Sequence, residues 1–213
     1  MVHRRVKITG KQGVNKGIDK DIPEIPLINT TSSSKNWSKE FSPFFLTNIP
    51  IYNGIKAKNM ENAWQFSKLY PEHADKEGNP TERYFKWAEK GWNSKYAERY
   101  PMGRKRPLCS IWDGKKLTYL EARKKIYIPL YAKAVVKTDA YKRLKTMYDS
   151  GEDFILWDVD GYDYLSLNMT YEEVANNERL KMGHAFVIGM LLEGLIIIEN
   201  GKLSYNLNYL NNI

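Results

Sequence analysis

The sequence predicts an α+β fold: one helix-dominated domain with short strands and a C-terminal β-hairpin. Three observations predict it. Thr118-Tyr119-Leu120-Glu121 and Thr170-Tyr171-Glu172-Glu173 are capping boxes, in which a Thr hydroxyl and a Glu carboxylate three residues on satisfy the first N–H groups of a helix. Apolar residues recur at three- and four-residue spacing over several long stretches. Near its C-terminus the chain reads Leu195-Ile196-Ile197-Ile198, then Asn200-Gly201, then Leu203-Ser204-Tyr205. That is the pattern of two strands about a two-residue turn with positive φ angles.

Along the chain, residues 1–40 read as a basic, partly irregular N-terminal arm. They carry Gly10, Gly13, Gly17, Pro23 and Pro26, then Thr30-Thr31-Ser32-Ser33-Ser34, with a short strand suggested at Val6-Lys7-Ile8. The compact domain spans 41–213. Ile49-Pro50-Ile51-Tyr52 before Asn53-Gly54 predicts a short strand and a tight turn. Met60, Ala63, Trp64 and Ser67 predict a helix over Lys58–Leu69, stopped by Pro71. A second helix is predicted over Thr81–Trp92. A long helix follows the Thr118 box and should kink at Pro129. Thr138 caps another, which Gly151 ends. Phe154–Trp157 reads as a buried strand and Met182–Leu192 as a buried helix.

With 213 residues, 42% hydrophobic and 13% aromatic, the chain can bury a core and is not disordered as a whole. Its longest apolar run, Phe186–Leu195, is interrupted by Gly189, Glu193 and Gly194, so no membrane span is expected. The start lacks the apolar segment of a secretory signal. One cysteine, Cys109, cannot close an intramolecular disulfide, and with 3 His a Cys/His zinc site is disfavoured. A cytoplasmic protein without metal or cofactor is expected.

The net charge of +8 is unevenly placed. Between Met102 and Thr146 there are 13 Lys/Arg against 3 Asp/Glu, whereas Asp149–Glu178 holds 9 acidic residues and no basic one. The basic block fits either solvated helix faces or a field that attracts phosphate.

Three constellations could carry chemistry. Glu61, Gln65 and Lys68, at i, i+4 and i+7 of the first predicted helix with Trp64 beside them, fit an exposed Glu–Lys face. They equally fit a proton-transfer carboxylate with an ammonium at hand. Asp158, Asp160 and Asp163 follow a strand end, where carboxylates can catalyse, hold a cation or be solvated. Met102-Gly103-Arg104-Lys105-Arg106 followed by Trp112 could bind phosphate plus a ring, or be a surface loop anchored by Trp112. His184, in an apolar helix, reads as a satisfied core histidine. No phosphate-cradling Gly loop, serine elbow or His-Glu-x-x-His is present.

In order and spacing these pieces resemble the NADAR family of the YbiA-like superfamily. Leu46-Thr47-Asn48-Ile49 is similar to its Leu-Ser-Asn-Phe signature. Glu61–Lys68 is similar to its Glu-x-x-x-Gln-x-x-Lys helix. Met102-Gly103-Arg104 with Trp112, Asp158 to Asp163-Tyr164, and Ile188-Gly189-Met190-Leu191-Leu192 resemble its later elements. The chain departs from the pattern at Phe186-Val187, where the family has Asn-Arg, and at Leu165-Ser166, where it has Trp-Gly.

The resemblance implies a YbiA-like fold and hydrolysis of a ribosyl–nitrogen bond in an ADP-ribose-, NAD- or nucleotide-related compound, including ADP-ribosylated guanine in nucleic acid. It implies Glu61, Lys68 and Asp163 as catalytic residues, and Asn48, Trp64, Gln65, Arg104, Trp112, Asp158 and Asp160 as substrate contacts. The expected partner is a phosphorylated ribosyl compound, a nucleotide or nucleic acid. The rival expectation is a non-catalytic basic module that binds nucleic acid or a nucleotide-like ligand, with an affinity that falls steeply with salt.

Overall fold

The computed structural model describes residues 5–11 and 25–206. Gly13, Gly17 and Pro23, read above as markers of an arm, lie outside the described residues. The chain divides into two compact units: residues up to Ser42 together with those from Tyr131 onward, and Pro43–Leu130 between them. The class is mixed α+β, as expected. No helix among the described residues is long and apolar enough to cross a membrane.

The first unit is built on a three-stranded parallel sheet. Its centre is β8 (Phe154–Trp157), flanked by β1 (Val6–Thr9) and β2 (Leu27–Asn29). A strand hydrogen-bonded on both edges by parallel neighbours reads as an unbroken apolar run, and Phe-Ile-Leu-Trp does. The stretch read as an arm therefore supplies both neighbours of the buried strand. Thr30 closes this end of the sheet, donating both its N–H, at 3.0 Å, and its hydroxyl, at 2.8 Å, to the Trp157 carbonyl.

Helix α5 (Asp139–Asp149) starts on its Thr138 cap, and α6 (Tyr171–Asn176) on the Thr170 capping box. All nine residues of α7 (His184–Leu192) are buried, in keeping with its unbroken hydrophobicity. The last elements among the described residues form the expected hairpin of β9 (Ile196–Glu199) and β10 (Lys202–Tyr205), where Asn200 and Gly201 take φ of 50° and 75°.

The second unit carries two hairpins. β3 (Thr47–Pro50) pairs with β4 (Lys56–Asn59) about Asn53-Gly54. β6 (Cys109–Trp112) pairs with β7 (Lys115–Leu117) about Asp113-Gly114, at φ 47° and 74°. β5 (Lys68–Leu69) adds to the free edge of β6.

The helix expected over Lys58–Leu69 is much shorter: α1 covers only Met60–Gln65. Lys56–Asn59 is strand, and Lys68 sits on β5. Non-local partners explain the early stop. The Ser67 carbonyl accepts the Ile111 N–H at 2.7 Å and the Leu69 carbonyl accepts the Leu108 N–H at 2.8 Å. Tyr84, on α2 (Glu82–Asn93), donates its hydroxyl to the carbonyls of Phe66 and Ser67 at 3.3 and 3.1 Å. These bonds hold the chain out of the helix that local spacing favours.

The kink expected at Pro129 takes a definite form. α3 (Tyr119–Ala122) opens on the Thr118 capping box and widens into a π-helical turn, Arg123–Tyr127, before α4 (Ile128–Val135). In a regular helix the Pro129 ring would meet the carbonyl four residues back, and the wider turn makes room for it.

Asn62 is the main polar tie of this unit. Fully buried, it donates to the carbonyls of Gly91, Ser94 and Tyr96 at 3.0, 3.2 and 2.8 Å and accepts the Glu98 N–H at 2.9 Å. Asn62→Ala strands several of these groups at once and is expected to cost about 3 kcal/mol, read as a lower urea midpoint at unchanged slope.

Tyrosines that the fold shields from water give a pH signature. Burial, reinforced by the Asp149 carboxylate, pushes the Tyr141 phenol up to about 12 from its ordinary 10.0. Burial also raises Tyr84 and Tyr131, Tyr131 with a further push from Asp158. A phenol whose folded pKa is raised contributes stability that is complete below the unfolded value of 10.0 and is lost as pH climbs toward the folded one. An absorbance titration of phenolate is expected to show these groups ionising together with the loss of near-ultraviolet dichroism, above about pH 10.

Candidate functional site

The candidate site grows from the N-terminal turn of α1. The N–H groups that such a turn leaves without helical partners are met by the preceding chain. Met60 N–H donates to Leu46 O at 2.9 Å, Glu61 N–H to Pro43 O at 3.2 Å, and Asn62 N–H to the Asn59 side chain at 2.8 Å. Glu61 lies in this first turn, where a carboxylate complements the helix dipole, yet it is only 7% exposed.

Gln65, one turn on and equally buried, donates Nε2–H to Glu61 Oε1 at 2.9 Å. Its Oε1 accepts from Lys68 Nζ at 2.7 Å. The Gln65 amide thus has one sensible orientation, nitrogen toward the carboxylate and oxygen toward the ammonium. The strand geometry of β5, not a helical repeat, brings Lys68 to Gln65.

Aromatic rings wall this chain of polar groups. Lys68 Nζ lies 4.9 Å from the Trp64 ring centroid, a cation–π contact. Tyr127, delivered by the π turn, packs on Trp64 with centroids 5.2 Å apart. Trp64 and Trp112 both rest on the apolar cluster Leu117, Ala122 and Ile126, and Tyr52 meets Trp112 edge-on at 5.0 Å. Arg123, buried on the same π turn, stacks over Tyr119 at 4.7 Å.

Burying a carboxylate is costly compared with an apolar side chain of the same size, and Glu61 is held there by the Gln65 amide. The arrangement can exchange a proton at Glu61, stabilise positive charge beside it, and hold an anion at Lys68. Burial pushes the Cys109 thiol up, so it is not an activated nucleophile.

A family model of unknown function, DUF6939, matches residues 10–166. The chain belongs to that family. No curated protein matches the chain. The DUF6939 stretch takes in the whole Glu61–Gln65–Lys68 arrangement and β8, and ends beyond Asp163, before α7 begins.

Within the DUF6939 stretch, Glu61, Trp64, Gln65 and Lys68 come together, and Trp112 shares the apolar cluster under Trp64. Arg104 is exposed on the loop between α2 and β6. Asn48 is exposed on β3 at φ 56°, a left-handed conformation that Asn tolerates better than most residues. Asp158, Asp160 and Asp163 belong to the other unit.

Asp158 is buried and takes up a structural task there. Its Oδ2 accepts Ala185 N–H at 3.1 Å, satisfying the start of α7, and faces His184 Nδ1 at 3.1 Å. His184 Nε2 meets the Thr30 carbonyl at 2.8 Å, so both ring nitrogens have partners, as expected of a satisfied core histidine. Asp160 faces Lys181 at 3.9 Å. Asp163 accepts the N–H of Ser166 at 3.1 Å and also its hydroxyl, the bonds of a turn. Among the described residues no group of three His, Cys, Asp or Glu is placed to hold a metal ion.

Tyr127, Arg123 and Asn62 escape the sequence reading. Asn62 stands inside the Glu-x-x-x-Gln motif itself, so only its full burial reveals it. The Asp113-Gly114 hairpin carried the same signal as the two turns that were read.

Proposed function

We propose that this protein is an N-glycosidase that hydrolyses a ribosyl–nitrogen bond in a nucleotide-related substrate. The observation that carries the reading is the buried Glu61 joined through Gln65 to Lys68 and walled by Trp64 and Tyr127. Breaking the C1–N bond sends its electron pair to nitrogen and leaves oxocarbenium-like charge on the ribose, which a nearby carboxylate stabilises. A water then adds hydroxide to C1. Its proton passes through Glu61 to the departing nitrogen.

Lys68, joined to Glu61 through the Gln65 amide, holds substrate phosphate. Trp64 and Trp112 supply an aromatic wall beside the base or sugar, and Arg104 supplies a second phosphate contact. The scheme rests on Glu61 and does not draw on Asp163, whose oxygens serve the Ser166 turn.

The test is release of base or sugar, followed by mass spectrometry. The panel comprises NAD, ADP-ribose derivatives, phosphoribosylamino-pyrimidines and ADP-ribosylated guanine in DNA, each with wild type and Glu61→Gln. Release by wild type that the variant loses supports the reading. Silence from both, or equal release by both, overturns it.

A further inference from the structure

We propose that the loop from Ser94 to Leu108 is a binding site for single-stranded nucleic acid. Between Lys95 and Arg106 it carries Lys95, Arg99, Arg104, Lys105 and Arg106 against one acid, Glu98. Two tyrosines are interleaved with these cations, Tyr96 at 69% and Tyr100 at 59% exposure. Lys95 Nζ lies 5.0 Å from the Tyr96 ring centroid and Arg99 Cζ 5.4 Å from that of Tyr100. Arg104 and Arg106 are exposed and make no ion pair among the described residues. Rings so exposed contribute little to the core, and cations placed around them suit a ligand with flat faces and a charged backbone.

The loop's backbone is held in place. Asn62 binds the carbonyls of Ser94 and Tyr96 and the N–H of Glu98. Gly103 N–H donates to Tyr100 O at 3.0 Å, closing a turn that brings the Arg104 end back toward Tyr100. Lys105 pairs with Glu72, and Leu108 N–H donates to Leu69 O at 2.8 Å. A strand binding here would not have to order this backbone, which lowers the entropic cost of association.

The tyrosines decide for a single strand. Ring faces stack on bases that are already unstacked, which a duplex does not offer, whereas the cations alone would meet either form. The site stands whether or not Glu61 is catalytic, because it needs no turnover.

The experiment is fluorescence anisotropy on the full chain. The probes are a thymidine DNA oligomer and a uridine RNA oligomer of about 12 nucleotides, and a DNA duplex of equal length. At least one single strand is expected to bind about tenfold or more tighter than the duplex, and comparing the two strands identifies the source. If four cations meet phosphates, affinity falls about fiftyfold between about 50 and about 200 mM salt.

Tyr96→Ala/Tyr100→Ala is expected to weaken binding about tenfold or more, while Tyr96→Phe/Tyr100→Phe, which keeps both ring faces, stays within about threefold. Circular dichroism confirms that each variant is folded. Equal affinity for duplex and single strand, an unchanged double-alanine variant, or no binding at about 50 mM salt overturns the proposal.

Discussion

Replacing Glu61 with Gln is expected to lower turnover by 10²–10⁴-fold, about 3–5 kcal/mol of transition-state stabilisation, while leaving the fold nearly intact. The substitution is informative because the hydrogen bond survives it. Gln65 Nε2–H, which donates to Glu61 Oε1 at 2.9 Å, can donate equally to an amide oxygen there. What disappears is the negative charge and the ability to carry a proton. A structural Glu61 would therefore give a variant of similar activity, with a stability change of no more than about 1 kcal/mol as a charged hydrogen bond becomes a neutral one. Initial rates and urea midpoints on the same samples separate the two. Turnover within about threefold of wild type would mean that Glu61 is not the acid/base, since a positioned group contributes far more.

How much of this was legible depends on the range of the interaction that decides each element. Asn53-Gly54 and Asn200-Gly201 announce their hairpins because the turn's positive φ angles are a property of those two residues alone. Thr118 and Thr170 announce their helices for a similar reason, since a capping box closes within four residues. The extent of α1 was not legible. The apolar spacing runs on past Gln65, and the strand that replaces the helix is held by Ile111 and Leu108, some forty residues away in sequence. Nor were β1 and β2 legible as the flanks of β8, because a parallel ladder between Val6 and Phe154 leaves no local trace in a short polar-flanked run.

The candidate site divides in the same way. Glu61, Gln65 and Lys68 were readable as a set, although the geometry that joins them is a helix followed by a strand. Tyr127 was not, because its approach to Trp64 depends on a π turn placed by Pro129 rather than on helical periodicity. At a strand end, Asp158 fits a catalytic, cation-binding or solvated carboxylate, and only the family resemblance implies a substrate contact for it. Its partners there, the Ala185 N–H and the His184 ring, come from a helix that begins 26 residues later, and no spacing rule connects them.

Alanine at Gly161 is expected to be among the most damaging small substitutions in the chain, costing about 4–5 kcal/mol. A methyl carbon built there would lie 2.2 Å from the Thr9 carbonyl oxygen and 3.2 Å from that of Asp158. At Gly10, facing it, the added carbon would come within 1.7 Å of the Gly161 carbonyl oxygen. Neither glycine is in the left-handed region, so each is required by space and not by conformational freedom. The atoms in the way are backbone, which cannot rotate aside as a side chain can. Relief requires the chain after β1 and the chain after β8 to part. That movement stretches the 3.1 Å bonds from Asp158 N–H to Thr9 O and from Gly161 N–H to Asp158 O. It also shifts the Asp158 carboxylate off the start of α7. With a typical total stability of about 5–15 kcal/mol, such a loss leaves a chain that is marginally folded at best. Gly54→Ala is the matched control, since an added methyl there meets nothing within 4 Å and the cost is only that of holding alanine at φ 75°, about 1–2 kcal/mol. Urea unfolding of the two variants should differ by several kcal/mol. If Gly161→Ala proved as stable as Gly54→Ala, the close approach of the two strand ends would be wrong, and with it the role of Asp158 in starting α7.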